Sequence, residues 1–423
     1  MVKSLLYKIL PYIVFTFISL AVSAADTMTG IMHPMFRSLQ IKVNGDDQLP
    51  PVIVLDSDDH IEIAFDELAD ERRYLRYRLM HCDALWNPSR LVEQEFLDGF
   101  NIGDIEDFRF SMVTATHYIH YSITLPNSQM RPIISGNYLL QVFPEENPDD
   151  ILLQCRFMVS EQSAIVSAET TPRTDIDFQD SHQQLSLMVN TRHSGISDPF
   201  NRLMVTIQQN YRPDTETVLP HPSRVNGTNA YYEHLPEMIF KAGNEYRRFE
   251  TVSTSFPTMG VEEISFSEPY YHMALYTDRP RSEMQYEFDK TQQGRFRIHE
   301  YNSPDPDVEA DYAVVHFSLE MPKLVGSDVY IDGDLVNRRL DASSVMNYNN
   351  ASGMYEKALL LKQGAYNYQY LTMPRGSTKA ESTTIEGDKY ETRNEYLVKV
   401  YNRDPMTRYD RLIAVARVFS SPD

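Results

Sequence analysis

Short runs of alternating apolar and polar residues, rich in β-branched and aromatic side chains, recur along nearly the whole chain between clusters of Pro, Asn, Asp and Gly. A period of two turns one side of an extended strand toward a core and the other toward water, and no sustained 3.6-residue apolar period competes with it. Residues 52–55, 61–65, 74–80, 118–125, 138–143 and 152–159 are such runs. Many short strands at this spacing specify an all-β chain of tandem immunoglobulin-like β-sandwiches.

The first residues read differently. Lys3 and Lys8 precede an apolar run from Ile9 to Ala21 that ends in Ser23, Ala24 and Ala25, the pattern of a secretory signal over residues 1–24. Pro11 interrupts the run, and its uninterrupted part is shorter than the roughly 20 residues that span a bilayer. No Cys stands near the expected cleavage point, so lipoprotein-type acylation is not expected there. The chain carries a net charge of −21, and two lysines fewer once residues 1–24 are gone. That charge repels a phosphate backbone, which argues against nucleic acid as a partner.

With 423 residues, length suggests about three domains. The first block is expected at 26–160, because residues 161–184 are polar, carry Pro172 and lose the alternation. A second block is expected at 161–302. Residues 302–309, with Pro304 and Pro306 among acids, read as a linker, leaving a third block at 308–423. In Leu153, Cys155, Phe157 and Val159 the thiol shares the apolar face, whereas Cys82 shares parity with Arg76 and Arg78. Alternation therefore argues against a Cys82–Cys155 disulfide, unless a bulge between Arg78 and Cys82 reverses the parity.

Candidate sites are few. His117 and His120 have metal-chelating spacing on a helix, but on a strand positions three apart face opposite ways. Asp305, Asp307, Glu309 and Asp311 imitate a calcium loop, yet Ala310 stands where the turn needs Gly and His316 where a bidentate Glu belongs. Neither Gly-x-Ser-x-Gly nor His-Glu-x-x-His occurs. The pairs Tyr231-Tyr232 and Tyr270-Tyr271 read as core or interface aromatics, and Trp86 and Tyr118 as buried anchors of the first sandwich. No catalytic, cofactor or metal residue is assigned.

Several phrases, in order along the chain, resemble the plug protein family of the type IX secretion system. They are Phe65-Asp66-Glu67-Leu68, the stretch from Met80 to Ser89 containing Trp86, Thr116 to Tyr121 leading to Leu125-Pro126-Asn127, and Ser135-Gly136-Asn137-Tyr138. Later come Gln209-Asn210, Ala242 to Arg247, Leu361 to Tyr368 and Asn394-Glu395-Tyr396. Cys155 and Arg393 depart from the family's usual residues. The resemblance implies a non-enzymatic periplasmic protein of stacked sandwiches, without cofactor. It would close the periplasmic mouth of the outer-membrane translocon barrel, its protein partner, and leave during substrate delivery.

Part of the last block also looks like the early-set sandwich that binds glycogen or starch, through Val329 to Leu335 and Lys362-Gln363-Gly364 before Tyr366, Tyr368 and Tyr370. That implies an envelope glycan-binding module as the alternative function. Asn337-Arg338 stands where the glycan domains carry a Trp, which removes the stacking platform.

Overall fold

A computed structural model describes residues 26–420, so the secretory signal expected over 1–24 lies outside the described residues. The alternating runs form strands, and six main sheets organise them into three units.

In the first unit, one antiparallel sheet is ordered Phe36–Val43, Ile61–Glu67, Ile119–Leu125, Asp107–Phe110. The second sheet is built on Leu153–Ser160, Gly136–Pro144 and Leu75–Cys82, with Val52–Val54 added in parallel to Leu153–Ser160. Phe36, Phe65, Tyr121, Tyr138 and Phe157 fill the core between them. Gly136 has a φ of +139°, and a Cβ there would lie 2.5 Å from His81 Nε2. Only glycine lets this backbone pass the buried imidazole.

The second sheet of this unit is covered on its other face as well. Cys82, Leu139 and Met158 project away from the first core and pack against Met204, Leu397, Tyr401 and Leu412. These belong to the next sheet, ordered Thr217–Leu219, Leu203–Gln209, Glu395–Asn402, Arg411–Phe419. That sheet in turn encloses a further core against Ile165–Thr171, His182–Asn190 and Asn229–Tyr232. Four sheets are thus stacked face to face through three apolar layers. The two inner ones are buried on both sides, which is why every residue of Gly136–Pro144 and of Glu395–Asn402 is buried.

The expected boundaries at 302 and 308 do not follow this hydrogen bonding. Glu395–Asn402 pairs with Leu203–Gln209, so the middle unit joins residues from about 161–241 to the strands after 394. The remaining strands form the third unit, an insertion into the middle one. Its five-stranded sheet is ordered Val261–Ser267, Tyr270–Leu275, Tyr312–Glu320, Met354–Lys362, Asn347–Asn349, and pairs Tyr270–Leu275 with Tyr312–Glu320 across the supposed linker. Its other sheet is built on Gly364–Pro374, flanked by Arg247–Glu250, Ser327–Asp332 and Phe296–Ile298. Within the linker, Pro306–Glu309 is a single helical turn with Val308 buried. Proline is tolerated at the first helical position because its missing N–H has no partner there, so Pro306 opens this turn.

Candidate functional site

The chemistry-bearing side chains gather where the three units meet. Between the first and third units, Asp66 from Ile61–Glu67 and Lys362 from Met354–Lys362 form an ion pair of 2.6 Å, both side chains at most 1% exposed. Asp66 also accepts from the Tyr312 hydroxyl at 2.7 Å and lies 2.7 Å from His120 Nδ1. Lys362 donates to the Asp307 carbonyl at 2.6 Å and lies 4.1 Å from the Tyr118 ring centroid. Burial works to raise the Asp66 pKa, but the Lys362 ammonium and His120 outweigh it and hold the carboxyl below its usual value. Burial draws Lys362 down from the ordinary ammonium value, opposed by Asp66. A buried pair of this kind holds only while all its members are present.

The same seam continues outward. Tyr118 is buried, and its hydroxyl donates to the Ala310 carbonyl at 2.8 Å, while Asp311 accepts from the backbone N–H groups of Ala115 and Thr116. Arg109 reaches Asp305 and Asp307. The acids that imitate a calcium loop are thus engaged with the first unit. His117 lies against Asp70 at the surface and His120 against buried Asp66, so the two histidines go to different carboxylates.

Between the middle and third units, Glu395 is paired with Arg295 at 2.9 Å and Arg417 at 2.6 Å. Burial pushes its pKa up, and the two guanidiniums more than offset this and hold it low. Beside it, Asn210 Nδ2 donates to Asn394 Oδ1 at 2.7 Å, and Asn394 Nδ2 donates to Gln183 Oε1 at 2.9 Å. These amides join strands far apart in sequence.

Trp86 is buried in the layer between the first and middle units, not in the core of the first sandwich. Its backbone is left-handed at φ +66°, in a turn where Asp83 accepts from the N–H groups of Leu85 and Asn87. The Arg156 guanidinium lies 4.3 Å from the Trp86 ring centroid and donates to the Thr27 carbonyl at 2.7 Å. Burial lowers the Arg156 pKa to about 10. Both residues line a cleft of about 190 Å³ at the three-unit junction, with Tyr211, Arg295, Arg338 and Lys399. The cleft brings four cations together, but Arg295, Arg338 and Lys399 already have carboxylate partners.

The phrases that carry the family resemblance therefore supply ties between units, with Asp66, Tyr118, Lys362 and Glu395 standing in them, while Asn210 and Asn394 brace the middle unit itself. Residues 36–161 match the type 9 secretion system plug protein 1st domain. The first unit is thus a domain of the plug protein family. A crystal structure of a hypothetical protein from Parabacteroides merdae superposes on the chain with a TM-score of 0.92 at 41% identity, over 93% of this chain and 99% of that one. A DNA-bound alkylpurine DNA glycosylase from Pseudomonas fluorescens gives a TM-score of only 0.18 at 10% identity over 29% of each chain. No curated protein matches the chain.

Other expected positions resolve as packing. Cys82 and Cys155 are both free and buried, one in the layer toward the middle unit and the other in the core of the first. They lie on opposite faces of one sheet, as the alternation indicates. Tyr232, Tyr366, Tyr368 and Tyr370 are buried, Tyr231 carries Arg224 at 3.5 Å from its ring centroid, and Tyr271 packs on Phe266. Arg338, in the glycan-like segment, is buried against Asp332, Asp334 and Tyr246. The tyrosines of the glycan-like segment, Tyr366, Tyr368 and Tyr370, thus point into the core. The buried charges at the seams were missed from the sequence, where a polar residue on a strand reads as facing water. The signal that could have found them was the family phrasing around Asp66 and Lys362.

Proposed function

We propose that this chain is a non-enzymatic stopper, which seats on the periplasmic mouth of a type IX outer-membrane translocon barrel and blocks its lumen at rest. One observation carries the reading: apolar layers and buried ion pairs tie all three units into one block, with the family phrases placed at the ties. A lumen-filling body must be wide and must resist deformation. Stacked sheets buried on both faces supply both properties, because close-packed interiors have low compressibility.

The periplasmic address rests on the signal pattern of residues 1–24, and no helix among the described residues is long and apolar enough to cross a membrane. The contact with the barrel is polar and rimmed by acids, in keeping with the net charge, and its association slows as salt rises if the barrel mouth is basic. The test is deletion of the gene for this chain. The outer membrane should admit a large antibiotic or dye while the barrel remains assembled, and the tagged chain should copurify with the barrel. A deletion strain that stays impermeable, together with a tagged chain that never copurifies with a barrel, would defeat the reading.

A further inference from the structure

The cleft at the three-unit junction holds one cation more than it has carboxylates to match. Of the acids that line it, Asp47 goes to Arg297 at 3.0 Å, Glu216 to Lys399 and Asp334 to Arg338 at 2.7 Å. Arg295 goes to Glu395, which lies behind the lining. Arg156 is left over. The carboxylates near enough to act on it are Glu216 and Asp26, and these are engaged by Lys399 and Arg339. The side edge of its guanidinium is spent on Thr27, with Nε donating to the carbonyl at 2.7 Å and Nη2 to Oγ1 at 3.1 Å. A guanidinium has five N–H donors, and those of the end edge, on Nη1 and the second of Nη2, meet no acceptor among the described residues. The Trp86 ring backs the group, and Leu39, Leu49, Met158, Phe296 and Leu397 make the neighbouring wall apolar.

We propose that this cleft binds a small apolar monocarboxylate, its carboxylate accepting from the end edge of Arg156 and its body lying against the apolar wall. Charge sets the head group. A carboxylate meets a guanidinium edge with two parallel, charge-assisted hydrogen bonds, and it supplies the counterion that this buried cation lacks. With a single cation in excess, a dianion such as phosphate leaves its second charge facing Asp47, Glu216 and Asp334, and an ammonium is repelled. Volume sets the body. An apolar cavity of about 150 Å³ takes benzene. The cleft, at about 190 Å³, therefore has room for a ring joined to a carboxylate. Its walls come from the first unit through Arg156 and Leu49, the middle through Leu397 and Lys399, and the third through Arg295 and Phe296. A bound ligand touches all three and adds its binding free energy to the stability of the block. This site goes beyond the stopper reading and does not depend on it.

The experiment uses residues 26–423 with no tag at the amino end, and phenylacetate as the probe. Calorimetric titration of the wild type should saturate at one equivalent with a Kd of about 1 mM or tighter. Phenylacetamide, of the same shape without the charge, should bind at least about tenfold more weakly. Saturation should also shift the emission of Trp86, the chain's single tryptophan, and raise the melting temperature. Arg156→Gln should weaken phenylacetate at least about tenfold. Leu49→Trp fills the cleft, leaves every charge in place and should abolish calorimetric binding. The comparison of acid with amide on the wild type stands even if a variant misfolds. Absence of saturable phenylacetate binding, equal affinity for the amide, or full affinity in folded Leu49→Trp overturns the proposal.

Discussion

The first unit has two neighbours and holds them in opposite ways. Toward the middle unit it presents the back of a sheet, and Leu139, Met158 and Cys82 meet Met204, Leu397 and Leu412 in an apolar layer. Toward the third unit it presents charge, with Asp66, Lys362, His120 and Tyr312 sealed from water. An apolar layer loses stability in proportion to the area removed, whereas an ion-paired seam loses little until one partner is missing and then loses much. One contact therefore tolerates change and the other polices it.

The comparison predicts its largest effect at Lys362. Lys362→Met leaves Asp66 buried without its counterion and should cost about 3–5 kcal/mol in urea denaturation. Combining it with Asp66→Asn should cost clearly less than the two single changes together, since neither charge is then stranded. Additive costs would show that the seam is not a coupled unit.

At the apolar layer, Leu397→Ala should cost about 2–4 kcal/mol through lost burial and a partly collapsed cavity. The loss should be the same at pH 4 and pH 7. A strong pH dependence would mean that the layer is not as dry as its side chains indicate.

Acid should separate the two seams. Asp66 and Glu395 have folded pKa values below their ordinary ones, and so does Glu386 between Arg247 and Arg281. Their stabilisation is complete above the unfolded carboxyl value of about 4 and is lost as the pH falls through the folded values. Glu67 and Glu245 run the other way, because burial raises them. Their contribution is present below the ordinary value and lost as the pH rises, so it does not protect these seams at neutral pH. Near pH 3, amides of Tyr312–Glu320 should exchange with deuterium sooner than those of Gly136–Pro144. The reverse order would break the comparison.

The smallest effect is expected at the exposed rim. Arg109→Ala removes the contacts to Asp305 and Asp307 and should change stability by no more than about 1 kcal/mol, less in high salt. Thermal unfolding in low and high salt measures it.

Much of the strand content was legible because alternation is local: Leu153, Cys155, Phe157 and Val159 all turn into one core. Alternation also separated Cys82 from Cys155 correctly. The run 138–143 does form a strand, Gly136–Pro144, but its sheet is covered on both faces, so no residue of it turns to water. The unit boundaries were not legible, because Val205 finds Val400, 195 residues further along the chain, and nothing local announces such a partner. Residues 302–309 misled for a related reason. Their prolines and acids suit a solvated linker, and only the first unit's Arg109 and Tyr118 turn them into a docking segment. Asp66 and Lys362 lie 296 residues apart, so their pairing leaves no periodic trace.

The insertion of the third unit into the middle one has a consequence for how the chain is made. During synthesis the first unit has all its strands as soon as Ser160 emerges, and the inserted unit can close on itself once Gly364–Pro374 and the segment to Ile385 follow. The middle unit cannot. Leu203–Gln209 waits, with one edge and one apolar face uncovered, until Glu395–Asn402 and Arg411–Phe419 arrive beside it. The chain therefore carries a sticky, half-built sheet through most of its synthesis and completes it last, which makes this interval the one in which a chaperone has something to hold.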